Sequence, residues 1–160
     1  MKTELIAKLA ANRDRVLNLV DGLREAEIVS IPVIGEWTIK DALGHVSYWE
    51  QVIHDHVRQA IREGKPRPQT RDELDDSVNP REAAKRKNWP WARVRAEFVD
   101  TRNGLIAHLA TLTEIELAAQ VPSPWWGEQR FYSVGEMIES DALGHANEHI
   151  EQINAWRAGR

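Results

Sequence analysis

Residues 133–153 read Ser133-Val134-Gly135-Glu136-Met137-Ile138-Glu139-Ser140-Asp141-Ala142-Leu143-Gly144-His145-Ala146-Asn147-Glu148-His149-Ile150-Glu151-Gln152-Ile153. The stretch opens on a capping box: a Ser at the helix N-cap and a Glu three residues on, each side chain bonding the other's backbone N–H. Val134, Ile138, Asp141, His145, His149 and Ile153 then recur at three- and four-residue spacing. That spacing brings them near one face of an α-helix. Two imidazoles therefore share the apolar stripe, one turn above the other. The stretch predicts a helix from about Val134 to Arg157 with its histidines turned inward.

Three further segments carry the same period, and none alternates like a half-buried strand. The first spans about Thr3 to Glu27, with Leu5, Leu9, Val16, Leu19, Val20 and Leu23 in register. The second spans about Thr38 to Glu63, with Ala42, His45, Trp49, Val52, Ile53 and His56 on one stripe, and the third spans about Trp91 to Leu112. Thr38 and Asp41 make a weaker capping box for the second. Gly64-Lys65-Pro66-Arg67-Pro68 ends it, and Asn79-Pro80 starts a short helix that Pro90 interrupts. Four long helices predict an all-α four-helix bundle, a single domain over residues 1–160. A short first connection makes helices one and two antiparallel neighbours. About 25 residues between helices two and three give a long crossover, so the predicted order is up-down-down-up. The pentapeptide Asp41-Ala42-Leu43-Gly44-His45 recurs as Asp141-Ala142-Leu143-Gly144-His145, two similar local environments. A mid-helix Gly costs about 1 kcal/mol relative to Ala. It is either simply tolerated or kept where another backbone or a ligand approaches closely.

The chain has 160 residues, 42% hydrophobic and 29% charged, with 21 Lys+Arg against 25 Asp+Glu. This is the composition of a soluble globular protein. A net charge of −4 argues against a nucleic-acid binder, which needs a basic face for phosphates. No run approaches the roughly 20 apolar residues that cross a bilayer. Charged residues stand where an export signal needs an apolar core, so a cytoplasmic location is expected. There is no Cys, but there are six His and seven Trp. The absence of Cys excludes disulfides, thiolate metal sites and a cysteine nucleophile. Any metal must be held by His and carboxylates.

His145 and His149 on one stripe, and His45 on the inward stripe of another helix, place three imidazoles in one bundle interior. That set suits a divalent ion such as Zn or Ni. Core histidines with a hydrogen-bonded ring satisfy the same pattern. An unperturbed His pKa would place metal release below about pH 6.

The segment Glu36-Trp37-Thr38-Ile39-Lys40-Asp41-Ala42-Leu43-Gly44-His45 resembles the Trp-Ser/Thr-x-x-Asp-x-x-x-His opening of the second helix in the DinB/YfiT-like superfamily of four-helix-bundle metalloproteins. His145, Glu148 and His149, followed by Gln152-Ile153, are similar to that family's late HxxxH helix. The resemblance spans nearly the whole chain. It implies His45, His145 and His149 as ligands to one divalent ion, frequent homodimers, and activities that include hydrolysis and transfer of a low-molecular-weight thiol. Residues 79–91 also look similar to stand-alone ClbS/DfsB-like members, whose named relatives protect cells from reactive small molecules.

Around this triad, Asp41 and Asp141 each precede a ligand His by one turn and are candidates to orient an imidazole. Asp41 is also the reciprocal residue of its helix cap, and Asp141 is placed to approach the metal. Glu148 is the candidate general base, or else a solvated neighbour of the site. Trp49 either walls the pocket or fills core. Trp125 and Trp126 suit a lid over a small-molecule pocket or a dimer contact. Arg130 with Arg93 or Arg95 offers charge to an anionic thiol. His56 reads as structural, and His54 and His108 as surface or partly buried residues. The leading expectation is a metal-dependent hydrolase or thiol transferase acting on a small electrophile. The alternatives are a non-catalytic protective binder and a structural dimer that retains the His site.

Overall fold

In the computed structural model, which describes residues 1–70, 73–75, 77–125 and 130–159, four long helices form the bundle. They are α1 (Lys2–Asp21), α3 (Ile39–Glu63), α5 (Trp91–Thr111) and a composite last helix. The composite runs through α7 (Val134–Met137), a π-helical segment (Ile138–Gly144) and α8 (His145–Ala158). Both predicted capping boxes form. Thr38 Oγ1 accepts from the Asp41 N–H at 3.2 Å while Asp41 Oδ2 accepts from the Thr38 N–H at 3.0 Å. Ser133 and Glu136 do the same at 3.1 and 2.6 Å.

Pairings along the helices establish their directions. Arg13 meets Asn103 and Arg95 meets Asp21, so α1 and α5 are antiparallel. Glu50 meets Arg102 and His54 meets His108, so α3 and α5 are parallel. Lys8 meets Glu139 and Arg15 meets Glu151, so α1 runs parallel to the last helix. The order is up-down-down-up, as expected. The expectation that the first two long helices are neighbours is corrected. Both α1 and α3 pack against α5 and the last helix, and they lie across the bundle diagonal from each other. The reason is the connection. Helix α1 stops at Asp21 rather than near Glu27, and residues 22–38 hold a short α2 (Glu25–Ser30) and a hairpin of β1 (Pro32–Ile34) and β2 (Trp37–Thr38). That is enough chain to cross a diagonal. A second hairpin, β3 (Gln120–Pro122) with β4 (Phe131–Ser133), follows the short α6 (Glu114–Ala118) and leads into the last helix. Two- and three-residue strands are too short to show a period of two in the sequence. The long crossover carries α4 (Val78–Arg86), as predicted.

The core falls into two apolar clusters. Between them runs a buried polar network. Arg102, 0% exposed, makes a two-point ion pair with Glu50 at 2.7 and 2.6 Å. It also donates to Asn12 Oδ1 and the Leu9 carbonyl, and Asn12 donates to Asn147 at 2.7 Å. One guanidinium thereby ties all four long helices, and through Asn147 it fixes the rotation of α8.

The repeated pentapeptide proves to be two different environments. At Gly44 an added Cβ would lie 2.6 Å from Arg86 Cδ. Arg86 cannot yield, because it is held by Glu97 at 2.7 Å on two nitrogens and by Glu82 at 2.7 Å. At Gly144 the nearest atom would be the Glu139 carbonyl oxygen at 3.5 Å, an ordinary contact. Gly44→Ala should therefore cost about 1–3 kcal/mol through overpacking. Gly144→Ala should be neutral or stabilising by helix propensity. Urea denaturation of the two variants checks this contrast; equal effects would refute it.

Candidate metal centre

The cap at Thr38 starts α3 so that His45 falls two turns in, facing the last helix. The π-helical segment delivers His145 at the first position of α8, and His149 follows one turn later. The three rings meet. His45 Nε2 lies 3.0 Å from His145 Nε2, and His145 Nε2 lies 3.1 Å from His149 Nε2. Three nitrogens around a tetrahedral Zn at 2.0–2.1 Å would be about 3.3 Å apart. The donor set thus fits one divalent ion with little movement. One ligand atom from each ring lies within 4.8 Å of the others, and this is the only such cluster of three or more among the described residues.

Two features prepare these nitrogens. The Gln152 amide oxygen is 2.8 Å from His149 Nδ1. An amide oxygen only accepts, so Nδ1 carries the hydrogen and Nε2 keeps its lone pair. Burial also favours the neutral rings. It pushes His45 down to about 3, helped by the neighbouring His145 and His149, with Asn79 pulling the other way. It pushes His145 down to about 4 and lowers His149 as well. All three imidazoles are neutral at physiological pH and able to act as ligands.

A cavity of about 450 Å³ opens beside His45 and His145. Trp49 and Trp125 wall it, edge to face with centroids 6.0 Å apart. Both indoles are pinned. Trp49 Nε1 donates to Asn79 Oδ1 at 2.9 Å, and Trp125 Nε1 donates to Asp141 Oδ2 at 2.9 Å. Glu148 and Asp141 also line the cavity. Glu148 is exposed.

The two aspartates part ways: Asp41 makes its expected helix cap, and Asp141 bonds residues of the second hairpin rather than an imidazole. Asp41 is committed to its helix cap, also accepting from Thr38 Oγ1 at 2.7 Å. Asp141 accepts from Trp125, from the Tyr132 hydroxyl at 2.7 Å and from Ser140 at 2.5 Å. It therefore anchors the second hairpin rather than a ligand His. Trp126 lies outside the described residues. His54 is 2% exposed, not a surface residue, and its Nε2 is 3.1 Å from His108 Nδ1. His56 is wholly buried as expected, and among the described residues neither ring nitrogen has a well-formed hydrogen bond. Neither Arg93 nor Arg95 reaches the cavity: Arg93 lies 3.6 Å over the Trp89 ring, and Arg95 pairs with Asp21. Arg130 lies over Tyr132, with no place among the cavity-lining residues.

Sequence reasoning passed over three residues of the site. Trp37 from the first hairpin packs against His45 at 4.8 Å. Asn79 was read only as a helix start. Gln152 carried a usable signal: a polar residue three positions after His149 on the same helix.

The DinB superfamily profile matches residues 8–153. This chain belongs to the DinB superfamily. A search of the curated proteins finds no match. Among solved structures it is similar to YfiT from Bacillus subtilis, described as a probable metal-dependent hydrolase with an unusual four-helix bundle topology. That likeness has 17% identity and a TM-score of 0.73, covering 99% of this chain and 87% of the other. It is also similar to the colibactin self-resistance protein ClbS, solved with double-stranded DNA, at 14% identity and a TM-score of 0.74 over 98% and 94%. A third likeness is to the mycothiol-dependent maleylpyruvate isomerase, at 12% identity and a TM-score of 0.75 over 96% of this chain. Here the DinB chain spans 60% of the isomerase's length. Identities this low carry the shared fold. No helix among the described residues is long and apolar enough to cross a membrane.

Proposed function

We propose that this DinB-superfamily chain is a metal-dependent enzyme that holds one divalent ion, Zn or Ni, through His45, His145 and His149. Its reaction is the attack of water or a low-molecular-weight thiol on a small electrophile. The observation that carries this reading is the convergence of three Nε2 atoms at 3.0 and 3.1 Å, with Gln152 setting one tautomer. The family membership and the described metal dependence of YfiT support it.

When bound, a divalent ion supplies Lewis-acid activation of a nucleophile at neutral pH. The chain's own residues do the rest. The neutral triad fixes the reacting end of the cavity. Trp49 and Trp125 exclude water from its walls and hold the substrate body. Glu148 accepts the proton that the nucleophile releases. Asp141 is unsuited to that role, since its oxygens already accept three hydrogen bonds. With no cysteine in the chain, a thiol nucleophile must diffuse in. The net charge of −4 and the two carboxylates lining the cavity support a small-molecule substrate rather than nucleic acid, notwithstanding the DNA in the ClbS structure.

Protein purified without a histidine tag should contain about one equivalent of metal, and His145→Ala should lose it while keeping its helical circular dichroism. Full metal retention in His145→Ala would sink the triad. Glu148→Gln should keep the metal and lose about 10²–10⁴-fold in turnover, the range of general-base catalysis. Because burial holds His45 and His145 well below the ordinary His value and lowers His149, metal should stay bound below pH 6, lower than an unperturbed triad would allow.

A further inference from the structure

We infer that Asn79 is a catalytic residue whose side-chain NH2 donates to the oxygen of the substrate, and that the electrophile is therefore a carbonyl compound. This names the substrate class for the site proposed above and rests on that reading for the nucleophile.

Asn79 is the second residue of α4, on the crossover, and its side chain lines the cavity with His45 and His145. Its carboxamide has one orientation. An indole N–H only donates, so the atom 2.9 Å from Trp49 Nε1 is the amide oxygen, and the NH2 lies on the other side. The same carboxamide reaches the His45 ring. A His45 that turns Nε2 to the ion carries its hydrogen on Nδ1, which again selects the oxygen. Both interactions fall on Oδ1, and the NH2 donates to no group among the described residues. The other amide, hydroxyl and indole donors on the lining are spent, since the Trp125 indole and the Ser140 hydroxyl both donate to Asp141. The divalent ion and the Glu148 carboxylate bring opposite charges to one lining, so net charge selects no ligand there; the unused NH2 selects an acceptor. In the attack, the nucleophile's electron pair forms the bond to the carbonyl carbon, the C=O π pair moves onto oxygen, and the nucleophile's proton passes to Glu148. The reading above assigns the ion to the nucleophile, which leaves that oxygen to the chain's own donors. An amide N–H already held in place stabilises the charge that develops on it without reorganising.

Acetophenone and isopropenylbenzene share one shape and differ by an oxygen for a CH2. Their affinities should be measured by ligand-observed NMR on the full chain after chelation, where no ion can hold the ketone. Metal content should be determined on the same preparations beforehand. Asn79→Asp keeps an oxygen for Trp49 and removes the NH2. It should weaken acetophenone by about threefold to tenfold, the value of one neutral hydrogen bond, and leave isopropenylbenzene and the metal content unchanged. Asn79→Ala brings no negative charge and should weaken acetophenone by at least as much. Equal effects of Asn79→Asp on both probes, an Asn79→Ala chain that holds the ketone as tightly as before, or no binding of acetophenone to the unmutated chain would overturn the proposal. A loss confined to the ketone in a protein that never holds metal would refute the metal site and leave the Asn79 donor standing. Metal retention with ketone affinity untouched by Asn79→Asp would do the reverse.

Discussion

Arg102→Met should lower the free energy of unfolding by about 3–5 kcal/mol, the usual effect of removing one partner of a buried ion pair. Glu50, 2% exposed, would be left without its countercharge, and burial already pushes its carboxyl above the ordinary range against the pull of Arg102. Asn12 and the Leu9 carbonyl would lose their donor as well. Against a total stability of about 5–15 kcal/mol for a domain, this is the largest single-residue effect expected here. At about 2–4 °C per kcal/mol for a chain of this length, the melting point should fall by about 10 °C. Adding Glu50→Leu should recover most of the loss, because an apolar pair of similar volume removes the desolvation cost from both sides. Urea denaturation of the single and double variants measures the coupling. A double variant as unstable as Arg102→Met would show that charge compensation is not what the pair supplies.

Acid should unfold the metal-free protein well before its carboxylates titrate. Burial pushes His54 and His56 each down to about 4, and it lowers His108 too. Above pH 6.5 these groups are neutral in both folded and unfolded chains, and their contribution is complete. Below it the unfolded chain takes up protons that the folded chain refuses. Stability is then lost by about 1.4 kcal/mol per pH unit for each such group until the folded value is reached. His54 and His56 alone account for about 3 kcal/mol each by pH 4. Urea midpoints measured at pH 7, 6 and 5 should therefore fall steeply. His56→Leu should flatten that slope and, by removing a buried ring with no well-formed hydrogen bond among the described residues, raise stability at pH 7 by about 1–3 kcal/mol. Stability flat from pH 7 to 4.5 would refute the account.

The long helices and the triad were legible because both follow from one period. Apolar residues and histidines recur at three and four, and caps at Thr38 and Ser133 mark where the count starts. Helix direction was legible from the length of the central crossover. What escaped was set by contacts between elements. The diagonal placement of α1 and α3 depends on Asp21 ending a helix whose apolar pattern runs on through Leu23. The roles of Asp41 and Asp141 looked alike because their neighbours in sequence are identical. Their partners, Thr38 on one side and Trp125 and Tyr132 on the other, come from different places in the chain. His54 read as a surface or partly buried residue because its covering partner, His108, belongs to another helix.

The π-helical turn at Ile138–Gly144 has a consequence for how such a chain can change over time. A π turn closes i→i+5 and holds one residue more than an α turn. Asp141, which anchors the Trp125 wall, lies within it, and His145 lies just past its end. Deleting one residue between them would restore α geometry and rotate Asp141 by about 100° relative to His145. The wall would come away while His45, His145 and His149 stayed together. A one-residue insertion or deletion at this turn is thus a short mutational path by which descendants of one ancestor can reshape the cavity while inheriting the same three histidines.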